Sequence, residues 1–204
     1  MFCGSMPGGL GLFLRSRLYR LIFASVGRGV VFGRHITLRH PQRIRIGHHV
    51  IIDDNCVLDA KGVDNRGITI GDRVYVGRNT IIYCKNGNIA IGDNVNISSN
   101  CQFVSSNDMT IGQDTVIGAY SYFLSGGGYD YSPGAKKFSE QNGYLTGGPL
   151  SIGENSWIGA RVCILDAANV GTHCVIAAGA VVNQPIPPNQ VAGGVPAHVI
   201  RAIQ

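Results

Sequence analysis

The residue types able to carry chemistry are unevenly placed along the 204 residues. The six cysteines (Cys3, Cys56, Cys84, Cys101, Cys163 and Cys174) include no CxxC pair and none close to a His at zinc-finger spacing. Neither a metal site nor a redox dithiol is written there. The six histidines fall at His35, His40, His48 and His49 and then at His173 and His198, which leaves the middle of the chain without an imidazole. That gap contains a Gly-rich, polar segment, SGGGYDYSPGAKKFSEQNGYLTGG, at residues 125–148. Within it Asp130 is a carboxylate able to accept a proton, whereas Tyr129 is a phenol whose ordinary pKa, near 10, makes it a poor base at neutral pH. The formal charge of +5 and a pI near 9.0 bias the chain toward anions such as nucleotide phosphates, coenzyme A, nucleic acid or acidic lipid, and select none of them.

The element that must position these groups is a repeat. From Leu150 to Asn183, the positions Ile152, Ile158, Ile164, Val170, Ile176 and Val182 recur every six residues, and Gly153, Gly159 and Gly171 each follow one of them. An aliphatic-Gly pair at a period of six is the sequence pattern of a hexapeptide β-helix. The same register can be followed upstream. It gives six coils that begin at Ile46, Ile70, Ile91, Ile111, Ile152 and Val170. Two residues before each marker lies a smaller or second apolar side chain, among them Val50, Cys56, Thr80, Cys101, Ser121 and Cys174. Residues i and i−2 point to one side of a strand, so eighteen such pairs aim into a three-sided prism. Cys56, Cys101 and Cys174 are then buried thiols in a reduced, cytosolic protein.

With 18 residues as the uninterrupted coil, the successive insertions are 6, 3, 2, 23 and 0 residues. The first three suit corner bulges. The fourth is the polar segment already described, and a long loop on a rigid scaffold is more often functional than decorative. The domain reading is a tail and capping helix over residues 1–39, the prism over 40–184 with its loop at 125–148, and a terminal turn and tail over 185–204. The high Gly content and scarce charge agree with many turns and little helix. Leu10, Phe13, Leu14, Leu18, Leu21 and Ile22 recur at helical spacing, with Arg15, Arg17 and Arg20 expected mostly on the opposite face. Such a helix could cap the open prism. Alternatively, residues 10–26 could make peripheral contact with an anionic membrane at its inner, cytoplasmic face. The run is too charged to span a bilayer.

The runs IGENSWIGARVCIL, VIAAGAVV and VAGGVPAHVIR resemble the hexapeptide-repeat acyltransferases, and more narrowly bacterial polysaccharide or lipopolysaccharide O-acetyltransferases. The resemblance covers about residues 40–204. It implies an all-β, left-handed parallel β-helix that assembles as a homotrimer, with acetyl-CoA as co-substrate in clefts between neighbouring prisms. It further implies a saccharide or lipid-linked saccharide acceptor near the loop, and no metal. Carried over by position, Trp157, Gly159 and Ala160 match the family's WIGA segment, and Ala178 and Gly179 match the lining of the pantetheine channel. Arg201 is then a contact for CoA phosphate. In the family a His at the start of the long loop acts as base, and Tyr129 stands at that position here, followed by Asp130.

This departure leaves three readings open: an O-acetyltransferase that uses another base, a His-to-Tyr variant of such an enzyme, or a non-catalytic or weakly active trimer built on the same prism. A zinc enzyme of carbonic-anhydrase type would need imidazoles in the middle coils, where there are none. Nucleic-acid binding would call for a basic stripe interleaved with aromatics, which the sequence lacks.

Overall fold

The computed structural model describes residues 4–204, so Cys3 lies outside the described residues. Short parallel strands wind into a solenoid of about eight turns, and successive turns build three sheets of six, nine and seven strands. The register read from the six-residue period is the register of the sheets. On the first face Ile46, Ile70, Ile91, Ile111 and Ile152 stand in line, with Val170 bridged to Ile152. On the second, Ile52, Val76, Ile97, Ile117, Ile158 and Ile176 do the same. Leu58, Ile82, Phe103, Phe123, Ile164 and Val182 form the third row. All eighteen pairs are at most 3% exposed. No single coil could hide this surface; stacking does it.

The core column also carries polar side chains, each with a local acceptor. The Ser121 hydroxyl donates to Gly118 O at 2.9 Å and Gly159 O at 3.1 Å, and Thr80 donates to Ser98 O at 3.2 Å. The Cys56 thiol reaches Gly77 O at 3.3 Å. These short donors satisfy corner carbonyls that would otherwise be buried unpaired. Burial pushes the Cys56 thiol up to about 11 and the Cys84 thiol to about 12, so neither is a nucleophile at neutral pH. On the third face Phe103 and Phe123 stack with centroids 4.5 Å apart.

The prism is longer than the six coils expected. A turn precedes Ile44, with strands Ser25–Val26, Val31–Phe32 and Thr37–Arg39 each paired to the next coil. Another partial turn follows through Ile186 and Gln190–Gly194, against which Ala197–Ala202 folds back antiparallel.

The N-terminal helix, α1 (Gly8–Leu18), lies over the first turn. Its orientation differs from the amphipathic expectation. The buried stripe is Gly11, Arg15 and Tyr19, while Leu10, Phe13 and Leu21 are exposed. The reason lies in the open end of the solenoid. Strand N–H groups donate to carbonyls of the following coil, as Gly33 N–H does to Ile52 O at 2.7 Å, so first-turn carbonyls lack a preceding strand. Arg15 supplies the missing donor, with Nε on Phe32 O at 2.9 Å and Nη1 on Met6 O at 2.7 Å. Tyr19 and Phe23 close the hydrophobic end against Phe32.

Candidate active site

Each coil turns tightly between the second and third faces, and there one residue adopts a left-handed conformation. Asn55, Asn79, Asn100, Tyr120 and Arg161 do so with φ of 58–62°, and Gly179 with φ 73°. Asn tolerates this region, whereas Tyr and Arg pay a steric cost. The residue just before it decides how the corner is finished. In the first turn the backbone N–H of Arg34 donates to Asp54 Oδ1, one coil on, at 2.6 Å. In the same register Ala160 is followed by Ala178, whose side chain has no oxygen to offer. The Ala160 and Ala178 N–H groups have no hydrogen-bond acceptor among the described residues. Ala160, Ala178 and Gly179 are all exposed, and a Cβ at Gly179 would meet nothing within 4 Å. The result is a strip of bare backbone at the edge of the prism.

Gly159 has a separate role. A Cβ there would come within 2.6 Å of Ala178 N, so glycine lets the two corners stack. Trp157 stands on the second face beside this strip, 59% exposed. Strand pairing runs from Trp157 through Val175 and Val191 to Arg201, so Trp157 and Arg201 share one outward row. At about 4.8 Å per strand their backbones are roughly 14 Å apart. Trp157, Gly159, Ala160, Ala178, Gly179 and Arg201 therefore come together on one chain.

Tyr129 and Asp130 do not join them. The loop leaves the third face at Ser125 and re-enters the first at Leu150, so it stands on a different edge of the prism. Its stems are tied by a two-residue antiparallel bridge, with Gly128 N–H on Leu145 O at 2.8 Å and Leu145 N–H on Gly128 O at 3.2 Å. Gln141 clamps the tip, accepting from Asp130 N–H at 2.7 Å and donating to Asp130 O at 2.8 Å and Lys136 O at 2.7 Å. Tyr129 turns into the loop, its ring edge-to-face with Phe138 at 6.0 Å and its hydroxyl against Gly143. The Asp130 carboxylate accepts from Ser132 N–H at 2.9 Å. That backbone bond, helped by the Ser132 hydroxyl, holds its pKa below the ordinary carboxylate value. Asp130 is thus ionised at neutral pH but a weak base. A hollow of about 430 Å³ opens beside it, lined by Lys136, Gln141, Asn142 and Tyr144 among others.

The anchors of this loop carry no repeat signature. Asp166, from the coil with perfect register, accepts from the backbone N–H groups of Gly126 and Gly147 and from the Thr146 hydroxyl. Lys85, two coils upstream, donates to Asn142 O at 2.8 Å and lies 4.6 Å from the Tyr144 ring centre. A carboxylate two residues after a third-face strand, in ILDA, is the available clue to Asp166. Among the described residues no group of three His, Cys, Asp or Glu could hold a metal ion, and no helix is long and apolar enough to cross a membrane.

Comparison with known proteins agrees with the repeat. Residues 149–184 match the family described as bacterial transferase hexapeptide (six repeats), and residues 49–84 match the hexapeptide repeat of succinyl-transferase. The galactoside O-acetyltransferase of Escherichia coli (strain K12) is 37% identical over 135 residues, covering 66% of this chain and 64% of that protein. The chain thus spans just under two thirds of that relative's length. Among solved structures, AntD, an N-acyltransferase from Bacillus cereus in complex with dTDP and 3-hydroxybutyryl-CoA, has a TM-score of 0.60 at 23% identity, covering 93% of this chain and 88% of that one. The polySia specific acetyltransferase NeuO has a TM-score of 0.54 at 23% identity, over 87% of this chain and 79% of that one. At such identities these two structures bear on the fold alone. The repeat, its register in three sheets and these matches make the chain similar to the hexapeptide-repeat acyltransferases.

Proposed function

We propose that the protein transfers an acyl group, acetyl in the first instance, from acyl-CoA to a saccharide hydroxyl. The observation that carries this reading is the open corner at Ala160 and Ala178. A thin pantetheine arm can approach backbone where no side chain stands, and two free N–H groups suit its amide and thioester carbonyls. Trp157 would flank the arm, and Arg201 would meet a phosphate. The acceptor hydroxyl attacks the thioester carbon, its proton passes to a base, and the C–S bond breaks to release the CoA thiol. Asp130 is the carboxylate at hand for that proton.

The separation of the loop from the open corner supports a cleft completed by a second copy. The outer surfaces support it as well. On the second face Val31, Ile51, Val116 and Trp157 are 39–59% exposed, and on the third Ile81, Val104, Leu124 and Cys163 lie half-buried on the outside. The first face presents Arg45, Thr69 and Thr110 instead. Two apolar faces and one polar face suit a homotrimer in which each prism touches two neighbours. One observation favours a second reading, a binding trimer with weak or no transfer. The loop offers no imidazole, and its Asp130 carboxylate is occupied by Ser132.

Thiol release from acetyl-CoA, measured over a panel of sugars, sugar nucleotides and amino sugars, tests both readings. Release with a sugar hydroxyl supports transfer to oxygen. Release with an amino sugar alone would move the acceptor to nitrogen. CoA binding without release would leave the binding trimer, and loss of CoA binding altogether would overturn both.

A further inference from the structure

The cap presents its apolar side chains to solvent. Leu21 is 81% exposed, Leu10 64% and Phe13 57%, while the helix buries Arg15. Closing the prism needs Tyr19 and Phe23 and makes no use of these three side chains. The charge around them is one-sided. The first 52 residues contain eight arginines and neither Asp nor Glu, although the whole chain is only +5. Arg17 lies 5.7 Å from the Phe13 ring centre, Arg20 donates to Gly27 O at 3.0 Å, and Arg28 is exposed nearby in sequence. Among the described residues, no carboxylate pairs with any of the three. Exposed large apolar side chains together with arginines that have no carboxylate partner form a surface complementary to anionic headgroups above an acyl layer.

We propose that this end of the prism docks on an anionic lipid surface, with Leu10, Phe13 and Leu21 entering the headgroup boundary and Arg17, Arg20 and Arg28 meeting lipid phosphates. A second copy of the same end is disfavoured as the occupant, because pairing would bring two acid-free, arginine-rich surfaces together. Nucleic acid is a poorer match, since two of the three apolar groups are aliphatic and cannot stack on bases. Docking here leaves the loop's stem at Ser125 four strand spacings up the prism, roughly 20 Å from the first turn.

Co-sedimentation of the full chain with vesicles of phosphatidylcholine, alone or mixed with phosphatidylglycerol, tests the proposal. The expected result is binding to the anionic vesicles, little to the neutral ones, and release by salt. Phe13→Ser with Leu21→Ser should weaken binding about tenfold or more, with the circular dichroism spectrum unchanged. Arg17→Glu with Arg28→Glu should weaken it comparably. Absence of binding to anionic vesicles at low salt overturns the proposal. So does full binding by the Phe13/Leu21 variant, which would reduce the effect to bulk charge. Concentration-dependent self-association abolished by that same variant would assign the surface to a second copy instead.

Discussion

The edge of the prism between the second and third faces can be compared at its two ends, because the register places Arg34 and Asp54 in line with Ala160 and Ala178. In the first turn the corner amide is capped by a carboxylate and an ion pair seals it, with Arg34 Nη2 on Asp54 Oδ2 at 2.8 Å. In the later turns the corner is bare. The backbone path is the same at both ends, and side-chain choice decides whether the edge is closed structure or an open site. Replacing Ala178 with an acid asks the later corner to behave like the early one. Ala178→Asp should cap the Ala160 N–H, leave the melting temperature unchanged or raised, and weaken CoA binding about tenfold or more, given about 1–3 kcal/mol for a buried polar group left unmet. Calorimetric titration with CoA checks it. Undiminished affinity would remove the open corner from the site.

The second contrast, between coil and loop, is one of stability. Phe123, stacked on Phe103 in the prism, should cost about 3–5 kcal/mol when replaced by Ala. Denaturant unfolding measures this, and a small loss would mean that the coils fold around the gap more freely than close packing allows. Asp166→Ala should cost less, about 1–3 kcal/mol. Its stronger effect should be on the loop, whose stems lose the acceptor shared by Gly126, Gly147 and Thr146. Faster proteolysis within residues 128–145 and lower turnover, with CoA affinity retained, are the expected outcomes. Unchanged cleavage would leave Gln141 and Lys85 as the sufficient anchors.

The same contrast explains what could be read in the sequence. Every pairing of the three core rows follows from a six-residue count, because an aliphatic that faces inward in one coil must meet its counterpart in the next. The first turn obeyed the rule too. Val26, Phe32 and Leu38 are spaced by six and two are followed by Gly, but assigning residues 1–39 to a tail and cap passed over them. The burial of Arg15 was not legible, since it answers unpaired carbonyls that exist only once the solenoid has an end. The residues proposed to meet the donor come from the resemblance, and their free amides from the register, which shows the carboxylate that the first corner has and these lack. The loop stayed opaque. Asp166, Gln141 and Lys85 hold it through contacts 11 to 57 residues apart that follow no period.

The smallest structural change tests the chemistry of the loop. Tyr129→His keeps an exposed ring at a site where Phe138 and Gly143 are the neighbours, so stability should move by no more than about 0.5 kcal/mol. Its effect should appear in the pH dependence of transfer. The Ser132 bonds lower the Asp130 pKa, so this carboxylate is ionised at neutral pH and is lost as a base only when pH falls through that depressed value. With Asp130 as base, the parent should show no acid limb in the imidazole range. A His base works when neutral, so the variant should lose activity as pH falls through about 6.5, and above that its turnover should exceed the parent's. A parent that already titrates in the imidazole range would place the base outside the loop, among the chain's histidines. A variant with neither a new limb nor a gain would show that Tyr129 lies away from the acceptor, and the loop would then position substrate without handling its proton.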